Sequence, residues 1–236
     1  MRTSSVWAIV VAGGSGSRFG RPKQFDLLDG RPVVSWAVAS ARAVATGVVV
    51  VVPAGSEIPP DADIGGDVVV EGGPTRSASV RRGLEAVPET ADIVVVHDAA
   101  RPLATPALFR AVLDPLTDGA GTTPAGVVCA VPVADTLKRL AEDGVTVAAT
   151  VERSQLVSVQ TPQAFRAAVL RRAHAGSGEA TDDAALVERL GGVVRVVPGE
   201  RGNVKLTVPE DLALAEELLA ARVRAEGRRR SPANAP

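Results

Sequence analysis

Residues 6–25, VWAIVVAGGSGSRFGRPKQF, join a continuous apolar run to a loop holding four glycines, two arginines and one lysine. A β-branched run that breaks into glycines reads as a strand entering a ligand loop. Glycines let the backbone approach an anion and aim N–H groups at it. Three kinds of phosphate loop compete for the stretch. A Walker loop needs Gly-Lys-Ser/Thr four residues after its first glycine, and neither Gly13 nor Gly14 has Gly-Lys at that offset. The dinucleotide fingerprint G-x-G-x-x-G fits Gly14 and Gly16 but lands on Phe19. It also wants an acid at the end of the second strand, where this chain has Pro53. The remaining reading is a glycine cradle followed by cations, Arg18 and Lys23, within reach of a triphosphate.

Further along, the chain alternates strand and helix. Strands are predicted over 6–12, 47–53, 67–71, 92–98, 126–133 and 192–198, all continuous β-branched runs. Such runs belong to a parallel sheet buried on both faces. Helices are predicted over 31–45, with Val34, Val38 and Ala41 on one stripe, and over 76–87, 105–116, 161–174 and 207–223. Two of these open with Thr-Pro, at Thr105 and Thr161, a good start signal. The last has Thr207 and Glu210 at capping-box spacing. The fold class is therefore α/β, a three-layer arrangement with a mostly parallel sheet. Residues 133–157 depart from the rhythm. They read as a β-hairpin turning at Glu142-Asp143-Gly144, either a dimer contact or a plain surface hairpin.

Composition narrows the class. The chain has 236 residues, enough for one large α/β domain. With no tyrosine, four phenylalanines and two tryptophans, its core must be built from Val, Ala and Leu. A net charge of −1 and a pI near 6.2 argue against a nucleic-acid partner. The single Cys129 excludes an intrachain disulfide and is expected to be a buried, inert thiol. No run approaches the ~18 apolar residues of a membrane span, so no membrane partner is expected and the location is expected to be cytoplasmic. One domain is expected over 1–226, followed by a disordered basic tail over 227–236.

Five stretches now carry a resemblance. AGGSGSRFGRPKQF (12–25) is similar to the nucleotidyltransferase signature A-x-G-x-G-x-R with a Pro-Lys-Gln shortly after. GGPTRSASVRRGL (72–84), VHDAARP (96–102), VQTPQAF (159–165) and NVKLTVPEDLALAE (203–216) follow in order. Together, over about residues 6–220, they resemble the 2-C-methyl-D-erythritol 4-phosphate cytidylyltransferase family of non-mevalonate isoprenoid biosynthesis. The resemblance implies a Rossmann-like nucleotidyltransferase fold and a reaction of CTP with methylerythritol phosphate, releasing pyrophosphate. It also implies Mg²⁺ held mainly by the CTP phosphates, with no protein ligand named, and a homodimer in which 133–157 is the dimerisation arm.

Residue by residue, the resemblance makes Arg18, Lys23 and Lys205 the catalytic cations. Ala12, Gly13 and Gly14 cradle the nucleotide, Gly73 and Ser79 read the cytosine edge, and Ala99 lies by the ribose. Asp98, Arg101, Thr136, Arg153 and Thr161 face methylerythritol phosphate, Arg153 in the partner's site. The family often has an acid where this chain has Pro74, which removes a side-chain contact to the base. His97 is expected to be packed or structurally hydrogen-bonded, and His174 to lie on the surface. Two other functions share these features. One is a ribitol-5-phosphate cytidylyltransferase, and the other is a non-catalytic nucleotide-binding regulator.

Overall fold

The computed structural model describes residues 4–14, 23–56, 64–117, 123–176 and 178–230. In chain order its strands are β1 (Val6–Val11), β2 (Leu27–Leu28), β3 (Arg31–Pro32), β4 (Gly47–Val52), β5 (Val68–Glu71), β6 (Ile93–Asp98), β7 (Gly126–Pro132), β8 (Leu137–Leu140), β9 (Val147–Val151), β10 (Val157–Arg166) and β11 (Val194–Pro198). Its helices are α1 (Val33–Arg42), α2 (Arg76–Ala86), α3 (Pro106–Thr117), α4 (Ala167–His174), α5 (Asp183–Arg189) and α6 (Glu210–Arg230). Seven strands form one sheet in the order β11-β7-β10-β6-β1-β4-β5. All pairings in it are parallel except the two made by β10.

Burial on both faces follows from the period-2 alternation of β-branched runs. Val48 and Val50 of β4 face one core with Val34 and Val38 of α1 and Phe109 and Val112 of α3. Val49 and Val51 face the other, with Val80 and Leu84 of α2, Leu170 of α4 and Val187 of α5. The result is the three-layer sandwich expected from the sequence. A third, smaller cluster joins Leu28, Val33 and Leu206 to Ala215 and Leu219 of α6.

Three sequence expectations need correction. The Thr161-Pro162 pair does not open a helix. Residues 157–166 are a strand wedged antiparallel between β6 and β7, and the helix starts only at Ala167. Packing overrides the local start signal there, because Ala164 and Phe165 go to opposite faces of the sheet and both are fully buried. At the last helix the cap is Asp211, not the Thr207–Glu210 pair. The Asp211 carboxylate accepts from the backbone N–H groups of Thr207, at 2.5 Å, and Val208, at 2.9 Å. That helix also continues through Gly227 to Arg230, past the expected start of the tail, and 231–236 lie outside the described residues.

The hairpin reading holds. β8 and β9 pair antiparallel, and the turn places Gly144 at φ 71°, where Asp143 accepts from the N–H groups of Val145 and Thr146. Helix α2 meets the sheet at Gly83, where a Cβ would stand 2.6 Å from Cγ2 of Ile9 and 3.1 Å from Cγ2 of Val51. Both neighbours are fully buried. We predict that Gly83→Ala lowers stability by about 1–3 kcal/mol through overpacking, despite alanine's better helix propensity. The urea midpoint measures it, and a stabilised variant would contradict this close contact.

Candidate active site

The parallel strands point their carboxyl ends one way. The chain turns to opposite sides of β1 at β4 and β6, so the sheet's switch point lies beside β1, where open α/β sheets collect ligands. A cavity of about 500 Å³ opens there. Its walls come from the ends of β1 (Val11 to Gly14), the turn into α2 (Gly73 to Arg76, and Ser79), the end of β6 (Asp98 to Ala100), Lys23 and Gln24, and Lys205 and Thr207. Backbone bonds carry the sheet ladder into these loops: Ala12 N–H donates to Val51 O and Ala99 N–H to Val11 O. Leu206 N–H donates to Ala100 O at 2.8 Å, which straps residues 205–207 along the end of β6.

Most of the sequence-predicted residues meet in this cavity. Ala12, Gly13, Gly14, Lys23, Gly73, Ser79, Asp98, Ala99 and Lys205 all line it. A Cβ on Gly13 would come within 3.0 Å of Ser79 Oγ, so the β1 loop and α2 approach as closely as glycine permits. Ser79 Oγ accepts from Gly73 N–H and bonds Thr75 O at 2.9 Å. Lys23 Nζ donates to Leu206 O.

Four predicted residues lie elsewhere. Thr136 and Arg153 sit on the exposed hairpin segment, with Arg153 donating to Ala134 O. Arg101 is half-buried and donates to Asn203 O at 2.7 Å. Thr161 is buried behind Asp98, whose backbone N–H donates to its hydroxyl at 3.0 Å. Arg18 lies outside the described residues.

Electrostatics concentrate on Asp98. Its carboxylate takes Arg76 Nε at 3.0 Å on one oxygen and Lys205 Nζ at 2.8 Å on the other. Burial alone would raise its pKa, but the Arg76 and Lys205 charges together outweigh burial and hold it well below the usual carboxylate range. Arg76 also pairs with Asp183 at 2.8 Å, and Asp183 with His174 Nε2 at 2.9 Å. His174 is thus buried and paired, not the surface residue expected from the sequence; its partner on α5 lies nine residues on, in a helix the pattern did not reveal.

His97 is packed, as expected. The Arg101 carbonyl can only accept, so His97 Nε2–H donates to it at 3.1 Å, and Nδ1 of the neutral ring accepts from the Thr161 hydroxyl at 3.0 Å, whose oxygen in turn accepts from Asp98 N–H. Burial lowers its pKa to about 4. Cys129 is buried, and burial pushes its thiol up to about 12, an unreactive state.

Sequence reasoning passed over Arg76 and Gln24. Arg76 is the first residue of α2, and no acid stands in that first turn. A cation there opposes the helix macrodipole, a local violation of the kind that marks functional positions. Gln24 Nε2 is buried in the cavity wall without a hydrogen-bond partner among the described residues. No cluster of three His, Cys, Asp or Glu side chains exists among the described residues, and none of their helices is long and apolar enough to cross a membrane.

The sequence profile of 2-C-methyl-D-erythritol 4-phosphate cytidylyltransferase matches residues 6–221. The chain belongs to this family. A cytidylyltransferase of that name from Rubrobacter xylanophilus is 44% identical, over 94% of this chain and 97% of its own. One from Streptomyces coelicolor is 44% identical over 91% of this chain and 85% of its own. The crystal structure of the Thermus thermophilus cytidylyltransferase superposes with a TM-score of 0.75 at 38% identity, covering 90% of this chain and 98% of that one. Family members are nucleotidyltransferases.

The buried His97 gives this site a pH signature. Its folded pKa, about 4, lies below the 6.5 of a free imidazole, so the unfolded chain takes up the proton first. The stability it contributes is whole above about pH 6.5 and is lost as pH falls toward 4. The unfolding free energy from urea titrations should fall from about pH 7 to about pH 5 with a slope approaching ~1.4 kcal/mol per pH unit from this group. His97→Gln should flatten that slope; an unchanged slope would mean that His97 is not held neutral.

Proposed function

We propose that this chain transfers the cytidylyl group of CTP to 2-C-methyl-D-erythritol 4-phosphate, releasing pyrophosphate. The observation that carries the reading is the convergence of Lys23 and Lys205 on a glycine-walled cavity at the switch point. A phosphate oxygen of the alcohol attacks the α-phosphorus in line, and the β-phosphate oxygen leaves with its electron pair. The nucleophile is already an anion, so no strong general base is required. The residues then act by positioning and by neutralising charge where it develops.

Lys23, with Arg18, would stabilise the crowded α-phosphate and the leaving pyrophosphate. Lys205, next in the chain to the Leu206 carbonyl that Lys23 bonds, would hold the reacting phosphates with it. The backbone of Ala12, Gly13 and Gly14 would run along the nucleotide, Gly73 and Ser79 would meet the cytosine edge, and Ala99 the ribose. Asp98 would accept hydrogen bonds from the polyol hydroxyls, with Arg101 beside it. Thr161 suits the support of Asp98 from behind, since its hydroxyl is engaged on both sides. Mg²⁺ would arrive on the triphosphate and neutralise part of its charge. Asp98, the one carboxylate among the described residues that line the cavity, is already held by two cations.

The hairpin fits a homodimer. Leu140, Val145 and Val147 are exposed on it, and Leu156, Val157 and Val159 continue the apolar surface at its base. A projecting arm with that surface calls for a partner, and a second copy would bring Arg153 and Thr136 to its neighbour's cavity. Arginine suits that task because its fork binds phosphate oxygens bidentately.

Two measurements test this. Pyrophosphate release with CTP and Mg²⁺ should require methylerythritol phosphate and fail with UTP, ATP or GTP. Turnover of ribitol 5-phosphate instead would move the enzyme to another pathway, and CTP binding without any release would favour the regulator. Secondly, inactive Lys23→Ala and Arg153→Ala proteins should recover about a quarter of wild-type activity when mixed and allowed to exchange subunits, because half the dimers then carry one intact site. No recovery despite subunit exchange would overturn the trans role of Arg153.

A further inference from the structure

Arg76 has an unusual setting. Two of its guanidinium nitrogens are fixed by carboxylates, Nε on Asp98 at 3.0 Å and Nη1 on Asp183 at 2.8 Å. The third, Nη2, is buried with no hydrogen-bond partner among the described residues. A guanidinium is planar, so two bonds of this kind fix the direction of the third edge. An unpaired cationic N–H group is costlier to bury than a neutral one. The arrangement makes sense when an acceptor comes with a ligand, and Arg76 lines the cavity.

We propose that Arg76 is a further substrate-binding residue, offering its Nη2 edge to an oxygen of the phosphorylated alcohol, and that Asp183 is the residue that positions it. The inference rests on the cytidylyltransferase reading above. The alcohol is favoured over the nucleotide because Arg76 is tied to Asp98 and, through it, to Lys205, not to the Gly13–Ser79 contact. Asp183 stands behind Arg76, outside the cavity wall. It is almost wholly buried and is anchored on its other oxygen by His174 Nε2. Arg76, Lys205, Asp98 and Asp183 carry two positive and two negative charges. An arriving phosphate therefore meets a rigid set of cations without an excess of negative charge.

The test is steady-state kinetics on wild type, Arg76→Lys and Asp183→Asn, with both substrates varied. Arg76→Lys keeps the charge and loses the fork. It should raise KM for methylerythritol phosphate about 10- to 100-fold, as expected for a lost charged hydrogen bond, with KM for CTP little changed. Asp183→Asn leaves every cavity side chain in place and should move KM in the same direction, by less. The inference is overturned if both folded variants keep the wild-type KM, if the rise falls on CTP, or if only kcat drops.

Wild-type turnover separates the two failures. A wild type that releases no pyrophosphate fails the cytidylyltransferase reading, whereas an active wild type with an unaltered Arg76→Lys fails this inference alone.

Discussion

Asp98 is a carboxylate buried at the end of a central strand, and a lone ionised carboxylate there would be expensive. It is tolerated because Arg76 and Lys205 each bond one of its oxygens, while its backbone N–H is taken by Thr161. Asp98 and these three partners come from four distant parts of the chain. Arg76 opens α2, Asp98 ends β6, Thr161 lies in β10 and Lys205 sits in the strap before α6. The ion pairs therefore tie together the separate loops around the cavity. Behind them, His97 and Asp183 extend the same network into the two helical layers. Removing either cation would leave the carboxylate underpaired and the loops unregistered, so the cost of burial doubles as a demand for correct geometry.

Much of this was legible in the sequence. The continuous valine runs read as strands covered on both faces, which β4 and β6 are throughout while the edge strands β5 and β11 leave Val69 and Val196 exposed, and Gly13 and Gly14 after the first run mark the ligand edge. What was not legible depended on contacts across the sheet. Thr161-Pro162 carries a helix-start signal as strong as Thr105-Pro106, yet only the second caps a helix; the first lies in a strand whose place between β6 and β7 is set by the burial of Ala164 and Phe165. His174 looked like a surface residue because Asp183 lies in a short helix with little periodicity to reveal it. Arg76 stood inside a motif noted for Gly73 and Ser79, and its clash with the helix dipole was the one local sign of its role.

The division of residues between cavity and hairpin has a mechanistic reading. The residues read as nucleotide-binding line the cavity of their own chain, whereas Thr136 and Arg153, read as contacting the second substrate, lie on an exposed arm. An active site shared in this way would couple catalysis to assembly. Charge neutralisation by cations from two subunits also suits a reaction with an anionic nucleophile and an anionic leaving group.

The most direct test of a nucleotide site at the switch point is a crystal structure of the protein with CTP and Mg²⁺. The base should lie against Gly73 and Ser79 and the triphosphate along Gly13 and Gly14, with Lys23 on its oxygens. Asp98 should keep its bond to Arg76. A nucleotide bound outside the switch-point cavity, or one whose triphosphate lies away from Lys23, would contradict it.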